Sequence, residues 1–177
     1  MKRSFYLLFF LSLSGLVNAQ ECELKDVKDP LNQETRLSTG FKKMGGGSDR
    51  FMMSGEVDKR ELDFFFVLEG SGLCFDEYAR VQAIFEGGKQ KNIFRNGGAE
   101  NCQGYFHIIF KNQANQPATL KNLATKKVIS LKFTMKDNKE KIVNLGPEEQ
   151  DTFQRIVSCI LDASTPLLND TWKPAKQ

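Results

Sequence analysis

Regular alternation of apolar and polar residues predicts two β-hairpins in this chain. Residues 79–86 place one set of side chains on an apolar face: Ala79, Val81, Ala83 and Phe85. Residues 129–136 repeat the pattern with Ile129, Leu131, Phe133 and Met135. A period of two is typical of a strand with one buried face. In each case a turn, Gly87-Gly88 or Asp137-Asn138, leads into a second strand, so we expect antiparallel pairs.

The stretch "ELDFFFVLE" has a different pattern, because residues 64–68 are apolar on both faces. Such a run predicts a central strand that is covered on both sides. Shorter strand-like stretches fill most of the remaining chain between Cys22 and Leu145. Together they give about eight or nine strands with short connections, which favour antiparallel pairing. Residues 115–124 are predicted to form a loop with one helical turn.

The period changes at Gly146-Pro147, where a helix is predicted to begin. Proline suits the first helical position, and Glu148 and Glu149 suit the positive end of the helix dipole. One apolar stripe follows at helical spacing: Phe153, Ile156, Val157 and Ile160. No period continues beyond Asp162, so we expect a frayed C-terminal tail at residues 164–177. The predicted fold class is mainly β: an antiparallel β-sandwich or barrel with one C-terminal amphipathic helix.

The first 19 residues have the three parts of a secretory signal peptide. Lys2 and Arg3 supply the positive region, residues 5–13 the apolar region, and Val17-Asn18-Ala19 the small residues before a cleavage site. The apolar run is too short for a membrane anchor, which needs about 20 apolar residues. No later stretch is long and apolar enough to span a bilayer. We expect a soluble, exported protein, periplasmic or extracellular, with a single β-rich domain at residues 20–163.

Removal of residues 1–19 leaves 158 of the 177 residues, which is the size of one domain. The net charge of +3 includes Lys2 and Arg3, and without them 23 basic residues face 22 acidic ones. A nearly neutral chain has no global charge to attract nucleic acid. We therefore expect no nucleic-acid partner.

All four cysteines lie in the predicted mature chain. An even number in an oxidising compartment indicates disulfides, and we predict the pairs Cys22–Cys159 and Cys74–Cys102. The first pair would join the two ends of the domain, which often lie close together, and the second would join two loops at strand entrances. Other pairings stay open, as does a buried free thiol at Cys159. Lipidation of Cys22 is disfavoured because two large polar residues precede it.

Few residues are candidates for chemistry. His107, the only histidine, excludes a multi-histidine metal site, and no Gly-x-Ser-x-Gly motif accompanies it. By alternation it shares a strand face with Tyr105 and Ile109, and we interpret it as a satisfied strand histidine rather than a catalytic one. Asp63 is compatible with a buried acid of raised pKa, but we expect it near solvent at a strand end, beside Glu61. We assign no catalytic, cofactor-binding or metal-binding residue.

Two lysine-rich stretches are candidates for binding surfaces. "KQKNIFR" resembles no phosphate-binding loop, and Phe94 within it could stack a base or a sugar ring. Lysines commonly protect exposed sheet edges, so we favour an edge strand there. The second stretch, residues 126–141, carries six lysines that form either a patch for an acidic partner or a solvent-exposed face.

The cysteine-containing segments also carry a resemblance. The order of "CELKDVKDPLNQETR", "SGLC", "NC" before a strand, and a final helix with "VSCI" resembles a group of small exported bacterial proteins of unknown function. Their opening segment carries a cysteine, then an Asp-Pro or Asp-Glu turn and a short charged strand. Leu31-Asn32-Gln33 departs from the aromatic, hydroxyl and glycine residues that usually follow that turn. The resemblance implies a β-rich fold and export, and no catalytic residues.

Two classes of function follow. The first is an exported, non-enzymatic binding or interaction domain, whose unknown partner is a protein, a glycan or a small apolar ligand. The alternative is a lipocalin-like barrel that carries a small apolar ligand, although the only tryptophan, Trp172, lies in the tail rather than in an opening strand. A hydrolase with an unrecognised site is the least favoured class. A filled sandwich would favour the first class, and a closed barrel with an apolar cavity the second.

We predict that the exported protein begins at Gln20. The positive, apolar and small-residue regions of residues 1–19 together form a cleavable signal. Intact-mass measurement of the protein from its native source checks this. A mass that retains residues 1–19, or that includes acyl chains, would contradict the prediction.

Overall fold

The computed structural model describes residues 22–28, 34–111 and 117–169. The predicted signal peptide, the turn at residues 30–33 and residues 170–177 lie outside the described residues. Within them, the strands are β1 Lys25–Lys28, β2 Thr35–Ser38, β3 Lys42–Met44, β4 Phe51–Val57, β5 Glu61–Leu68, β6 Arg80–Phe85, β7 Lys91–Arg95, β8 Tyr105–Lys111, β9 Val128–Thr134 and β10 Glu140–Asn144. The helices are α1 Ala118–Thr125 and α2 Pro147–Asn169, and a short 3-10 helix covers Gly47–Asp49.

The strands form two antiparallel sheets that pack as a sandwich, not as a closed barrel. The six-stranded sheet has the order β1-β2-β4-β5-β8, with β3 also paired to β4, and the four-stranded sheet has the order β10-β9-β6-β7. The described residues contain ten strands, where about eight or nine were predicted, and one strand-like stretch forms two short strands, β2 and β3. Gly40, with a φ of +63°, lies at this break. Such a positive φ suits a residue without a Cβ.

The central strand predicted from its run of apolar residues is β5, which lies between β4 and β8. Its inward side chains are fully buried, but Phe65 and Val67 on the outer face are only half-buried. The prediction that both faces are covered is therefore correct for one face and only partly correct for the other.

Phenylalanine rings fill the space between the two sheets. Phe133 of the four-stranded sheet lies 5.9 Å from Phe66 and 5.3 Å from Phe106 of the six-stranded sheet, measured between ring centroids. All three side chains are fully buried. Edge-to-face rings at these distances fill space densely and add to the hydrophobic stabilisation.

Helix α2 covers the part of the six-stranded sheet that the second sheet leaves open. Its four predicted stripe residues are all buried, and the helix packs on β4, β5 and β9. The contact with β4 is close, because a Cβ on Gly55 would lie 2.6 Å from Cγ1 of Ile160 and 3.1 Å from Cγ2 of Ile156. A side chain at position 55 would therefore push the helix away from the sheet.

Both helical regions are longer than the sequence predicts. Helix α2 continues to Asn169, beyond the expected end at Asp162, so the frayed tail does not begin at residue 164. Ser164 is fully buried, and Leu167 packs against the core. Helix α1 replaces the predicted single turn and buries Leu120 and Leu123. Tertiary contacts thus stabilise helix where the local pattern is weak.

Two disulfides join the cysteines as the sequence analysis paired them. Cys22 is bonded to Cys159, with 5.5 Å between their Cα atoms, and Cys74 is bonded to Cys102, with 3.9 Å. The first bond ties the segment before β1 to α2. The second joins the loop after β5 to the loop before β8. In the described part of the chain, no helix is long and apolar enough to cross a membrane.

Ile156→Asp is expected to destabilise the domain strongly. Ile156 is 3% exposed, so the change would bury an unpaired carboxylate, at a cost of roughly 3 kcal/mol or more. Gln154→Asp, on a half-buried position of the same helix, is the matched control and should have a much smaller effect. Thermal unfolding of both variants checks this. An unchanged midpoint for Ile156→Asp would mean that α2 is peripheral to the core.

Candidate functional site

The structure brings together the two residues that the sequence analysis considered for chemistry. Nδ1 of His107 lies 2.8 Å from Oδ2 of Asp63. Because an ionised carboxylate can only accept hydrogen bonds, Nδ1 is the donor. The expectation that Asp63 lies near solvent is wrong: it is 7% exposed. The outer face of β5 at this point is covered by neighbouring side chains, and alternation along one strand does not reveal such cover.

Strand register explains this pairing. Phe65 of β5 stands opposite His107 of β8, and Asp63 stands opposite Ile109, so Asp63 and His107 are diagonal neighbours on the outer face. The imidazole stacks on the Phe65 ring, with 4.2 Å between centroids. As predicted, His107 shares its face with Tyr105 and Ile109, and as predicted it is a satisfied histidine, with Asp63 as the partner that the sequence did not show.

Asp63 belongs to a cluster of four carboxylates, and a single guanidinium pairs with the other three. Arg36 of β2 contacts three of them, with Nε 3.2 Å from Asp58 and its terminal nitrogens 3.8 Å from Glu56 and Glu61. Asp63 is the fourth, and its Oδ1 is buried without a hydrogen-bond partner among the described residues. The cluster therefore carries more negative than positive charge.

Burial raises the pKa of Glu56 above its usual value of 4.5, and the nearby charge of Asp63 raises this pKa further. Arg36, a hydrogen bond from Ser38 and His107 act in the opposite direction without cancelling the rise. A carboxylate in a low-dielectric setting next to a like charge resists ionisation. The folded state thus holds the proton of Glu56 more tightly than the unfolded chain does.

No serine, threonine or cysteine side chain of the described residues forms a hydrogen bond with the Asp63–His107 pair. Ser54 stands opposite Phe65 on the side away from His107, and its hydroxyl is fully buried. No group of three or more His, Cys, Asp and Glu side chains in the described ranges is arranged to hold a metal ion. The pair instead fixes the position of the His107 side chain. The backbone of His107 forms hydrogen bonds of its own, to Gly97 and Asn96.

Strand β7 is one edge of the four-stranded sheet and β8 is one edge of the six-stranded sheet, and the two edges meet at His107. The N–H of Gly97 donates to the carbonyl of His107 at 2.9 Å, and the N–H of His107 donates to Oδ1 of Asn96 at 3.0 Å. Asn96 is itself fixed by donation to the carbonyls of Asp76 and Gly98. From this junction the two strands continue in opposite chain directions and border an open cleft.

The backbone groups that border this cleft have no strand partner within residues 22–28, 34–111 and 117–169. Residues of β8 that bond to β5 are even-numbered, since the carbonyl of His107 points to Gly97 instead. Residues of β7 that bond to β6 are also even-numbered, since the N–H of Asn96 donates to the carbonyl of Ala79. In an antiparallel ladder the alternate residues point away from the partner strand. The N–H and C=O groups of Ile93 and Ile109 therefore point into the cleft.

The cleft has a volume of about 530 Å³. Its lining consists of Ile93, Phe94, Arg95, Asn96, Gly97, Ile108, Ile109, Phe110, Lys111 and Pro117. The rings of Phe94 and Phe110 contact each other at its inner side, 5.9 Å apart. Phe94 is 8% exposed, so the option that it stacks a base or a sugar ring is wrong. The favoured interpretation of "KQKNIFR" as an edge strand is confirmed.

The lysines of the second lysine-rich stretch are largely neutralised. Lys127 pairs with Asp151, Lys132 with Glu140, Lys136 with Glu100 and Lys139 with Asp137. Lys126 donates to Gln90. Most of this surface is therefore a solvated face of compensated charge, and it offers little excess charge to an acidic partner.

A different cleft, of about 400 Å³, lies between β3 and α2 beside the Cys22–Cys159 disulfide. Lys42, Lys43 and Arg155 line it together with Glu23. Arg155 already donates to Thr152. This cleft lacks the paired strand edges that distinguish the cleft between β7 and β8.

Comparison with known proteins gives no further guidance on the site. No protein-family model, no curated protein and no solved structure matches this chain. The candidate site therefore depends on the geometry alone.

Glu56→Gln is expected to make stability less dependent on pH. Because the folded pKa lies above 4.5, the folded state binds more protons than the unfolded state between these two values, so stability falls as pH rises through this window. The neutral amide removes this loss. The thermal midpoint of the variant should therefore exceed that of the parent at about pH 7 and equal it at about pH 4.

Glu61→Gln is the matched control. Its side chain is as exposed as that of Glu56, 24%, and it lies equally far from Arg36, at 3.8 Å. This variant should not be stabilised at neutral pH. A Glu56→Gln variant that is less stable than the parent at neutral pH would show that the ion pair with Arg36 outweighs burial.

Proposed function

We propose that this protein is an exported, non-enzymatic interaction domain that binds an extended peptide segment by strand addition. The observation that carries the proposal is the cleft between β7 and β8, where two sheet edges present to the same space backbone donors and acceptors that no described strand pairs. Strand addition uses such groups for affinity and the neighbouring side chains for specificity. Export is supported by the signal-like residues 1–19 and by the two disulfides, which form in oxidising compartments.

The directions of the two edges determine how a segment would lie in the cleft. The contacts Gly97–His107 and Phe94–Phe110 show that β7 and β8 run antiparallel to each other. A strand placed between them must therefore be antiparallel to one edge and parallel to the other. It would also continue one sheet into the other across the cleft.

Neighbouring features limit where a partner strand would end. The backbone of Tyr105 is already bonded to the amide side chain of Asn101, which accepts its N–H and donates to its carbonyl. His107 is satisfied by Asn96 and Gly97. Of the residues of β8 that face the cleft, Ile109 and Lys111 are the ones without a backbone partner in the described part of the chain. The bound segment is thus short and stops at the junction.

A carrier of a small apolar ligand, the alternative from the sequence, receives less support. It requires a closed barrel around an open interior. The sheets instead form a sandwich, and phenylalanine rings such as Phe66, Phe106 and Phe133 occupy the space between them. The clefts found among the described residues open to the surface.

Ile93→Pro is expected to weaken peptide binding. The N–H of Ile93 points into the cleft, so proline removes a donor to the partner strand without removing a bond to β6. Octapeptides selected from a random phage-displayed library against the exported protein provide the probes. Their affinity for the variant, measured by fluorescence anisotropy, should fall at least about fivefold, as expected for one lost hydrogen bond plus poorer fit.

Ile142→Pro is the matched control. Ile142 is 50% exposed, close to the 56% of Ile93. The N–H of each residue faces away from its paired strand, and that of Ile142 lies on the outer edge of β10, away from the cleft. This control should bind the peptides like the parent, and equal thermal midpoints establish that both variants fold. If Ile93→Pro does not fold, Ile109→Pro tests the opposite edge. A library that yields no binder, or binders that tolerate both cleft prolines, would overturn the proposal.

A further inference from the structure

The rim of the cleft between β7 and β8 carries basic residues without counter-ions. Two exposed cations, Arg95 of β7 and Lys111 of β8, line it, and two more stand elsewhere on β6 and β7: Arg80 and Lys91. Among the described residues, none of them forms an ion pair. Glu61 stands opposite Lys111 in the sheet register, but its carboxylate is directed to Arg36.

The contrast with the lysines near β9 and β10 is informative. There, Lys127, Lys132, Lys136 and Lys139 each have a carboxylate partner. The mature chain is nearly neutral, so enough acidic residues exist to compensate the basic ones. Among the described residues, cations without an ion pair also occur elsewhere, as at Lys25, Lys28, Lys42 and Lys43. What distinguishes Arg95 and Lys111 is that they line a cleft between two open strand edges.

The arrangement also includes an unfavourable contact. Arg80 stands directly opposite Arg95 in the pairing of β6 with β7. Like charges at directly opposite positions destabilise a sheet. A negative group placed between β7 and β8 would relieve this repulsion. Two copies of the domain that met through these edges would instead bring further cations together.

Resting on the proposed function, we propose that the segment bound in this cleft alternates apolar and acidic residues. Its inward side chains would lie on Phe94 and Phe110, which form the apolar floor. Its outward side chains would lie beside Arg95 and Lys111, which require carboxylates as partners. A period of two places these two chemistries on opposite faces of one strand.

Three labelled octapeptides test the charge preference. Each alternates valine with a second residue, which is glutamate, serine or lysine. Anisotropy titrations with the exported protein should give the tightest binding for the glutamate peptide and the weakest for the lysine peptide, with at least about a tenfold difference in Kd that shrinks as salt is added.

Two charge-reversal variants locate the effect. Arg95→Glu combined with Lys111→Glu should reverse the order of the three peptides. Lys132→Glu combined with Lys136→Glu changes the net charge equally but lies outside the cleft, and it should keep the parental order. This control separates contact at the rim from long-range attraction.

The results distinguish strand addition in the cleft from the preference of the cleft for acidic segments. If the serine peptide binds as tightly as the glutamate peptide and Ile93→Pro weakens both, strand addition stands and the acidic preference is overturned. If the three peptides keep the same order of affinity for the variant with Arg95→Glu and Lys111→Glu, the acidic preference is also overturned. Failure of the glutamate peptide to bind at all, while library peptides bind in a manner sensitive to Ile93→Pro, overturns it as well.

Discussion

The hydrogen bonds at His107 are the constraint on which the open side of the sandwich depends. Every backbone donor and acceptor near the interior must find a partner. In the part of the chain that the structure describes, His107 is the one residue at which the edges of the two sheets bond to each other. Gly97 and Asn96 bond to His107, and the side-chain bond from Asp63 holds the same residue from the face of the sheet. The two sheets are thus joined at one end of the cleft and separate beyond it.

Glycine makes this junction sterically feasible. A Cβ at position 97 would lie 2.8 Å from Cδ1 of Ile109, and one at position 98 would lie 2.5 Å from Cδ2 of His107. Beyond the junction, β7 and β8 contain no glycine, and the rings of Phe94 and Phe110 fill the space on the inner side of the two strands. Because the rings need room and sheets twist, the two edges diverge instead of forming one continuous sheet. The open cleft is therefore a consequence of how the core is filled.

The sequence predicts those features that depend on one segment at a time. Alternation located β6 and β9, and the helical stripe located the buried face of α2. The Cys22–Cys159 bond joins distant segments, and its prediction came instead from the general closeness of domain termini. The Asp63–His107 contact spans 44 positions and needs the register of β5 with β8, which no local pattern contains. The cleft is harder still to predict from the sequence, because it depends on how strands of two different sheets are placed against each other. The inward direction of Phe94 could have been read from alternation with Ile93 and Arg95.

Several unfavourable local features occur near strand β8. Asp63 buries an oxygen without a partner beside it, Glu56 ionises reluctantly two strands away, and Arg80 opposes Arg95 on the far side of the cleft. Near the opposite edge of the four-stranded sheet, by contrast, the lysines of β9 and its turn pair with carboxylates. Proteins tolerate such departures from local optimum mainly where function requires them. The same cations that discourage pairing of the exposed edges with other copies leave those edges free for a segment of opposite charge.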